Sequence, residues 1–270
     1  MRLGTVHSDS GLVAVEERDG CLYQLGTGQQ TLDSLIRAGH LPAPTATVVP
    51  ASPLAVPFTP GKIVAIGLNY RDHIREAGLD EPDEPLVFAK FPSSIIGPDD
   101  AIRIDSNVCG RVDWEVELGV VIGKTATAVR ADSALDHVFG YTVANDVSAR
   151  DVQFADGQWV RGKSMDTFCP LGPVVVTGDE VGDPQSLVLR TRVNGEVVQD
   201  SSTSEMIFSV AELIEFCSRS FTLNPGDLLL TGTPWGCGEF MTPRRCLSPG
   251  DRVEVEIPGI GTVSNPIVSA

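Results

Sequence analysis

Acids and apolar residues alternate strictly over residues 112–118, Val-Asp-Trp-Glu-Val-Glu-Leu. An extended chain sends successive side chains to opposite faces, so Asp113, Glu115 and Glu117 share one face. Neighbours on that face are rooted roughly 6.6–6.8 Å apart, a gap two carboxylates close by leaning toward one ion. Glu115 and Glu117 are therefore candidate ligands of a single metal; the other reading is a half-buried strand whose wet face is acidic, as antiparallel sheets often have. A third carboxylate, Asp146, follows the strand-like run 141–144, where a scaffold places functional loops. Its plainer reading is an Asx-turn or a helix N-cap. Three oxygen ligands without His or Cys describe a hard-cation site, Mg²⁺ or Mn²⁺, with Ca²⁺ as a further option and zinc disfavoured.

Acid–base groups stand nearby in the sequence. After the apolar run 63–66, the segment 71–76 (Arg-Asp-His-Ile-Arg-Glu) has helical character, which makes His73 and Glu76 i,i+3 neighbours. A carboxylate beside an imidazole orients it and stabilises its protonated form, as a general base requires; the competing reading is an ordinary surface pair. Arg161 and Lys163 bring two cations beside Trp159, and a lysine near a divalent site neutralises an enolate or carboxylate on the substrate. The segment 231–236 (Thr-Gly-Thr-Pro-Trp-Gly) ends an apolar strand in small residues that admit a ligand or simply make a tight turn.

The elements that must hold these groups are mostly strands. Short β-branched runs punctuated by Gly and Pro occupy 63–66, 86–89, 116–122, 141–144, 174–177, 187–193, 228–231 and 253–257, and Asn194-Gly195 marks a type I′ hairpin. Helix signals are few, the clearest spanning 204–219. Without regular strand–helix alternation or a fixed repeat, a doubly wound sheet and a TIM barrel are excluded, leaving a mainly β, α+β fold. Residues 1–60 read as a small N-terminal domain: strands at 6–17 and 21–25 around the turn Asp19-Gly20, a short helix at 31–38, then a connector with six prolines between 42 and 60. Residues 61–270 form the second, larger domain.

Composition narrows the partners. The 270 residues are 42% hydrophobic and 21% charged, enough for an ordinary core. A net charge of −16 without any basic stripe excludes nucleic acid and disfavours anionic membranes. A small anionic substrate remains compatible, because a few cations or a metal reverse the potential within one cleft. No apolar run reaches transmembrane or signal-peptide length, and six scattered cysteines lack zinc-ligand spacing, so a cytoplasmic protein with reduced thiols is expected.

Five blocks, in order, resemble the fumarylacetoacetate hydrolase family: Gly-Leu-Asn-Tyr-Arg-Asp-His from Gly67, Asp-Trp-Glu-Val-Glu-Leu-Gly from Asp113, Asn-Asp-Val-Ser-Ala-Arg-Asp-Val-Gln from Asn145, Arg-Gly-Lys-Ser from Arg161 and Thr-Gly-Thr-Pro from Thr231. The resemblance covers about residues 62–268. It implies a β-sandwich roll with a small N-terminal domain, assembled as a homodimer. It places metal ligands at Glu115, Glu117 and Asp146, and a water-activating pair at His73 and Glu76 on a segment that closes over substrate. Substrate-binding cations fall on Arg150 and Lys163, and further substrate contacts on Gln153 and Thr233. The implied activity is cleavage of the C–C bond of an acylpyruvate-like 2,4-diketo acid, with Lys163 and the cation stabilising the departing enolate. The alternative on the same site is decarboxylation or keto–enol isomerisation of a 2-oxo acid of the oxaloacetate or homoprotocatechuate-pathway type. Met165 stands where many relatives carry Phe, and Arg161-Gly162-Lys163 resembles the branch of homoprotocatechuate-pathway isomerases and decarboxylases of aromatic catabolism. A non-catalytic metal-bound relative is a third reading, which predicts a lost catalytic position; none is lost here.

Overall fold

The computed structural model describes residues 1–9, 11–49 and 53–270. The fold is mainly β with few helices. One eleven-stranded sheet runs from the edge strand Pro44–Val49 through Cys21–Leu25, Gly11–Arg18 and Arg2–Ser8 into Cys169–Thr177, Val138–Asn145, Val116–Ile122, Leu228–Leu230, Ile63–Gly67 and Leu86–Lys90, with Ile95–Ile96 paired to Cys169–Thr177 off this path. A five-stranded sheet packs beside it in the order Glu196–Ser202, Val188–Val193, Arg252–Ile257, Gly261–Ser269 and Ile102–Ile104. Apolar residues facing inward from both sheets, among them Trp114, Val116, Leu118, Leu189, Val255 and Val263, form the main core.

The N-terminal strands extend the large sheet, since Arg2 and Leu3 pair with Val176 and Val175. Their apolar residues Leu3, Ala14 and Leu25 share a second core with Ala144, Leu171 and Leu230. The expected strand at 6–17 is two strands: the chain folds back between Ser8 and Gly11, with Val6 opposite Val13. The turn residues Asp19 and Asn194 adopt positive φ, as type I′ hairpins require. Within the proline-rich stretch, Pro44–Val49 pairs with Cys21–Leu25 only along one side, the edge position proline tolerates; Pro50 lies outside the described residues.

One helix starts later than its pattern suggests. The segment expected at 204–219 is a 3₁₀ turn, Thr203–Glu205, followed by the helix Val210–Ser220. Ser209 and Glu212 form a reciprocal capping box there, and a cap fixes a helix start more sharply than apolar spacing does. Among the described residues, no helix is long and apolar enough to cross a membrane.

Candidate active site

The acidic run is not one continuous strand. Val112–Asp113 and Val116–Ile122 are separate strands with a break at Trp114 and Glu115. Asp113, on the strand before the break, is not one of the three acids that converge, but it shares the Arg150 guanidinium with Glu115. All three acids are buried, so the face read as wet is interior. The break is held from both sides: Asn145 Oδ1 accepts from the Glu115 N–H (3.0 Å), and the Asp146 N–H donates to the Glu115 carbonyl (2.9 Å). These two bonds bring the end of Val138–Asn145 against Glu115. Carboxylate oxygens of Glu115, Glu117 and Asp146 consequently lie within 4.8 Å of one another.

Cations stitch this cluster together. Lys163 Nζ donates to Glu115 Oε2 (2.7 Å) and Asp146 Oδ2 (2.8 Å). Lys90 Nζ donates to Asp146 Oδ1 (2.6 Å) and to the Lys163 carbonyl. Arg150 joins Asp113 Oδ1 (2.7 Å), Glu115 Oε1 (2.5 Å) and Gln153 Oε1 (3.1 Å). Asp146 is thus neither an Asx-turn nor a cap. Lys163 reaches the cluster because its short helix, Val160–Lys163, lies hard against Arg150–Asp156: a Cβ on Gly162 would stand 2.7 Å from the Gln153 nitrogen. Arg161, read beside Lys163 as a second cation, instead pairs with Asp156 at the surface.

Four buried carboxylates face three cations, and the protonation states follow. Burial opposes ionisation of Glu115, yet Lys163 and Arg150 bring its carboxyl down to about 2. Glu117 goes the other way: burial, then the Asp146 and Glu115 carboxylates, push it well above the usual range. Its one hydrogen bond among the described residues comes from the Gly232 N–H (2.8 Å). Burial would neutralise Lys163, but Asp146 and Glu115 hold it charged. An all-oxygen donor set with surplus negative charge and one carboxylate short of partners fits a hard divalent cation at Glu115, Glu117 and Asp146.

His73 and Glu76 sit on the helix Arg71–Ala77, and His73 is 5% exposed, which removes the surface-pair reading. His73 Nδ1 lies 3.5 Å from Glu76 Oε2, and its ring meets the edge of Phe240 at 5.0 Å. Both Glu76 oxygens accept from the Gly236 N–H at 3.0 Å. The helix is tied down elsewhere as well: Asn69 bonds Phe208 and Thr231, Arg71 donates to the Met206 carbonyl, and Asp72 accepts from Ser201. Thr233 is placed by Gln199, whose Nε2 donates to its Oγ1 (3.0 Å) while Gln199 Oε1 accepts from the Val116 N–H (3.1 Å).

A cavity of about 280 Å³ opens onto these groups, with His73, Glu115, Arg150, Gln153, Lys163 and Thr233 in its wall. Glu117 and Asp146 are absent from that wall, since Lys163 lies across the acidic trio. Of the nine residues given a site role in the sequence, six line this wall, Glu117 and Asp146 lie beside Glu115 in the acidic cluster, and Glu76 stands beside His73. Three more residues of the site had been given no role in it. Lys90 ends the apolar run 86–89 and looks like a solvated strand end, although period two from Phe88 puts it on the cavity side. Asp113 was visible only as a member of the acidic face. Gln199 has no local signal.

Residues 62–268 match the family described as fumarylacetoacetate (FAA) hydrolase C-terminal. A mitochondrial oxaloacetate tautomerase, fahd2, of Xenopus laevis is 51% identical over 218 residues, 80% of this chain and 68% of that protein. The oxaloacetate tautomerase YisK of Bacillus subtilis is 46% identical over 214 residues, 78% of this chain and 71% of that protein. A solved fumarylacetoacetate hydrolase from the psychrophile Exiguobacterium antarcticum superposes with a TM-score of 0.89 at 36% identity, covering 100% of both chains.

Proposed function

The chain belongs to the fumarylacetoacetate hydrolase family, and from that premise we propose that it is a divalent-metal-dependent tautomerase interconverting the enol and keto forms of a small 2-oxo acid of the oxaloacetate class. The tautomerase names of the relatives support this reading better than the C–C hydrolysis implied by the motifs. The observation that carries it within the site is His73. Of the titratable side chains in the cavity wall, Glu115, Arg150 and Lys163 are all hydrogen-bonded in ion pairs, whereas the His73 ring makes no hydrogen bond among the described residues. An enol–keto exchange needs one such uncommitted acid–base group and no positioned water.

In this reading Glu115, Glu117 and Asp146 hold the cation, whose charge favours the ionised enol oxygen when bound. Arg150 and Gln153 receive the 1-carboxylate. The Lys163 ammonium adds positive charge beside the 2-oxygen. With Nδ1 turned to Glu76, His73 Nε2 takes the proton from the enol oxygen and returns it to C3, so no atom is gained or lost. Decarboxylation of the same acid would use the floor without His73. Buried unpaired thiols at Cys109, Cys169, Cys217 and Cys237 support a reducing compartment such as the cytoplasm as the place of work. Homodimer assembly, implied by the family resemblance, belongs to the same proposal.

The test follows enol decay and CO₂ release from oxaloacetate, and cleavage of an acylpyruvate, with metal content by elemental analysis. His73→Ala should slow tautomerisation by roughly 10²–10⁴-fold and keep its metal. Glu115→Gln should lose both, because a neutral amide cannot replace the charge facing the cation. Near-normal tautomerisation by His73→Ala would overturn the assignment, and acylpyruvate cleavage faster than tautomerisation would restore the hydrolase reading.

A further inference from the structure

The cavity has two unlike parts. Its polar floor is described above. The rest of its wall includes Leu68, Leu79, Phe88, Phe154 and Trp159, which carry no charge. Phe88 joins the two parts, with Lys163 Nζ 5.4 Å from its ring centroid. Arg111 stacks over Phe154 at 5.9 Å, but its guanidinium is committed to Glu239. Leu79 and Phe154 are about half exposed and form the open rim, whereas a second substrate carboxylate between Leu68, Phe88 and Trp159 would give up water without gaining a free cation, since Lys163 is committed to Glu115 and Asp146.

The wall is also built at a backbone cost. Leu68 has φ of 55°, a left-handed conformation that glycine adopts freely and that a residue with a Cβ resists. The glycine sits one position earlier, where a Cβ on Gly67 would stand 2.4 Å from the Trp159 ring. Gly67 thereby seats the indole, which meets Phe88 edge to face at 5.3 Å. A strained leucine beside a seated aromatic pair, continuous with the catalytic floor, is what an apolar substrate end requires.

The geometry points to a substrate whose distal end is an aryl or branched-alkyl group on C3, seated on Leu68, Phe88 and Trp159, in place of the second carboxylate of oxaloacetate. This assignment rests on the floor being a 2-oxo acid site. Its consequence is a preference among 2-oxo acids set by the wall and separable from the chemistry at the floor.

The experiment compares kcat/KM for enol decay of phenylpyruvate and of oxaloacetate, in the wild type, Trp159→Ala and Leu68→Gly, each loaded with Mn²⁺. Calorimetric binding of 3-phenyllactate and of malate supplies a readout that needs no turnover. The wild type should favour phenylpyruvate by about tenfold or more, on the scale of discrimination an apolar pocket gives. Both substitutions should shrink that ratio at least about tenfold through KM, and Leu68→Gly should do so without lowering the melting temperature. A wild type that favours oxaloacetate, or substitutions that reduce both substrates alike, would overturn the assignment. Should neither acid be turned over, the tautomerase reading fails, and binding then decides the wall: 3-phenyllactate bound more tightly than malate, and weakened by Trp159→Ala, upholds it, while equal or absent binding refutes it.

Discussion

Lys90→Met tests whether the buried charge network is what holds the site together. Lys90 and Asp146 pair at 2.6 Å with neither side chain reached by solvent. Methionine matches the unbranched length and removes only the charge and its hydrogen bonds. Breaking a buried pair by deleting one partner costs about 3–5 kcal/mol, because the remaining charge stays desolvated and uncompensated. Asp146 keeps Lys163 at 2.8 Å, which puts the expected loss at the lower end, about 3 kcal/mol. At roughly 2–4 °C per kcal/mol for a chain near this size, the melting temperature in EDTA should fall by about 6–12 °C. Removing Lys90 also removes a positive charge that repels a cation at Asp146. Saturating Mn²⁺ should therefore raise the melting temperature of the variant more than that of the wild type, by linkage to tighter binding. Scanning calorimetry of both proteins in EDTA and in Mn²⁺ reads both effects. A variant melting within about 2 °C of wild type in EDTA, or equal gains from Mn²⁺, would refute the reasoning.

Glu76 serves two neighbours, and substitution separates them. Glu76→Gln keeps an acceptor for the Gly236 N–H but removes the charge beside His73, so kcat should fall about 10–100-fold with KM and melting temperature held. Glu76→Ala should also raise KM, since the loop carrying Thr233 loses its anchor; a Gln variant with wild-type kcat would make Glu76 a loop anchor only. The thiols give a pH prediction. Burial pushes Cys109 up to about 11 and Cys169 and Cys217 up to about 12. At pH 8 a disulfide reagent should label exposed Cys21 and then half-buried Cys246, with the other four reacting only after unfolding. Because the folded-state values lie above the ordinary value of 9.0, stability from these thiols is full below about pH 9 and is lost as pH rises toward about 12, which alkaline melts measure. Rapid native labelling of Cys217 would show that its surroundings open.

Local rules in the sequence mark out the fold class and offer Glu115, Glu117 and the His73–Glu76 pair as candidates, while the joining of Asp146 to the acidic pair is implied by the family resemblance. Period two puts Glu115 and Glu117 on one face, i,i+3 spacing puts His73 beside Glu76, and Asn194-Gly195 chooses its own turn. Tertiary structure decided what those side chains meet. Whether the acidic face was wet or buried depended on the elements carrying Lys90, Arg150 and Lys163 packing against it, while the second sheet covers the opposite, apolar face of Trp114, Val116 and Leu118. Lys90 and Lys163 come from 56 and 17 positions away from Asp146, and Arg150 from 37 positions away from Asp113. No local pattern records such encounters. The same long-range burial sets protonation: Glu115 and Glu117 are two residues apart with identical side chains, yet one lies against two cations and is driven down to about 2, while the other lies among carboxylates and is driven up. Charge in an interior is governed by desolvation and by which opposite charge closes the gap, and both are properties of the packed chain.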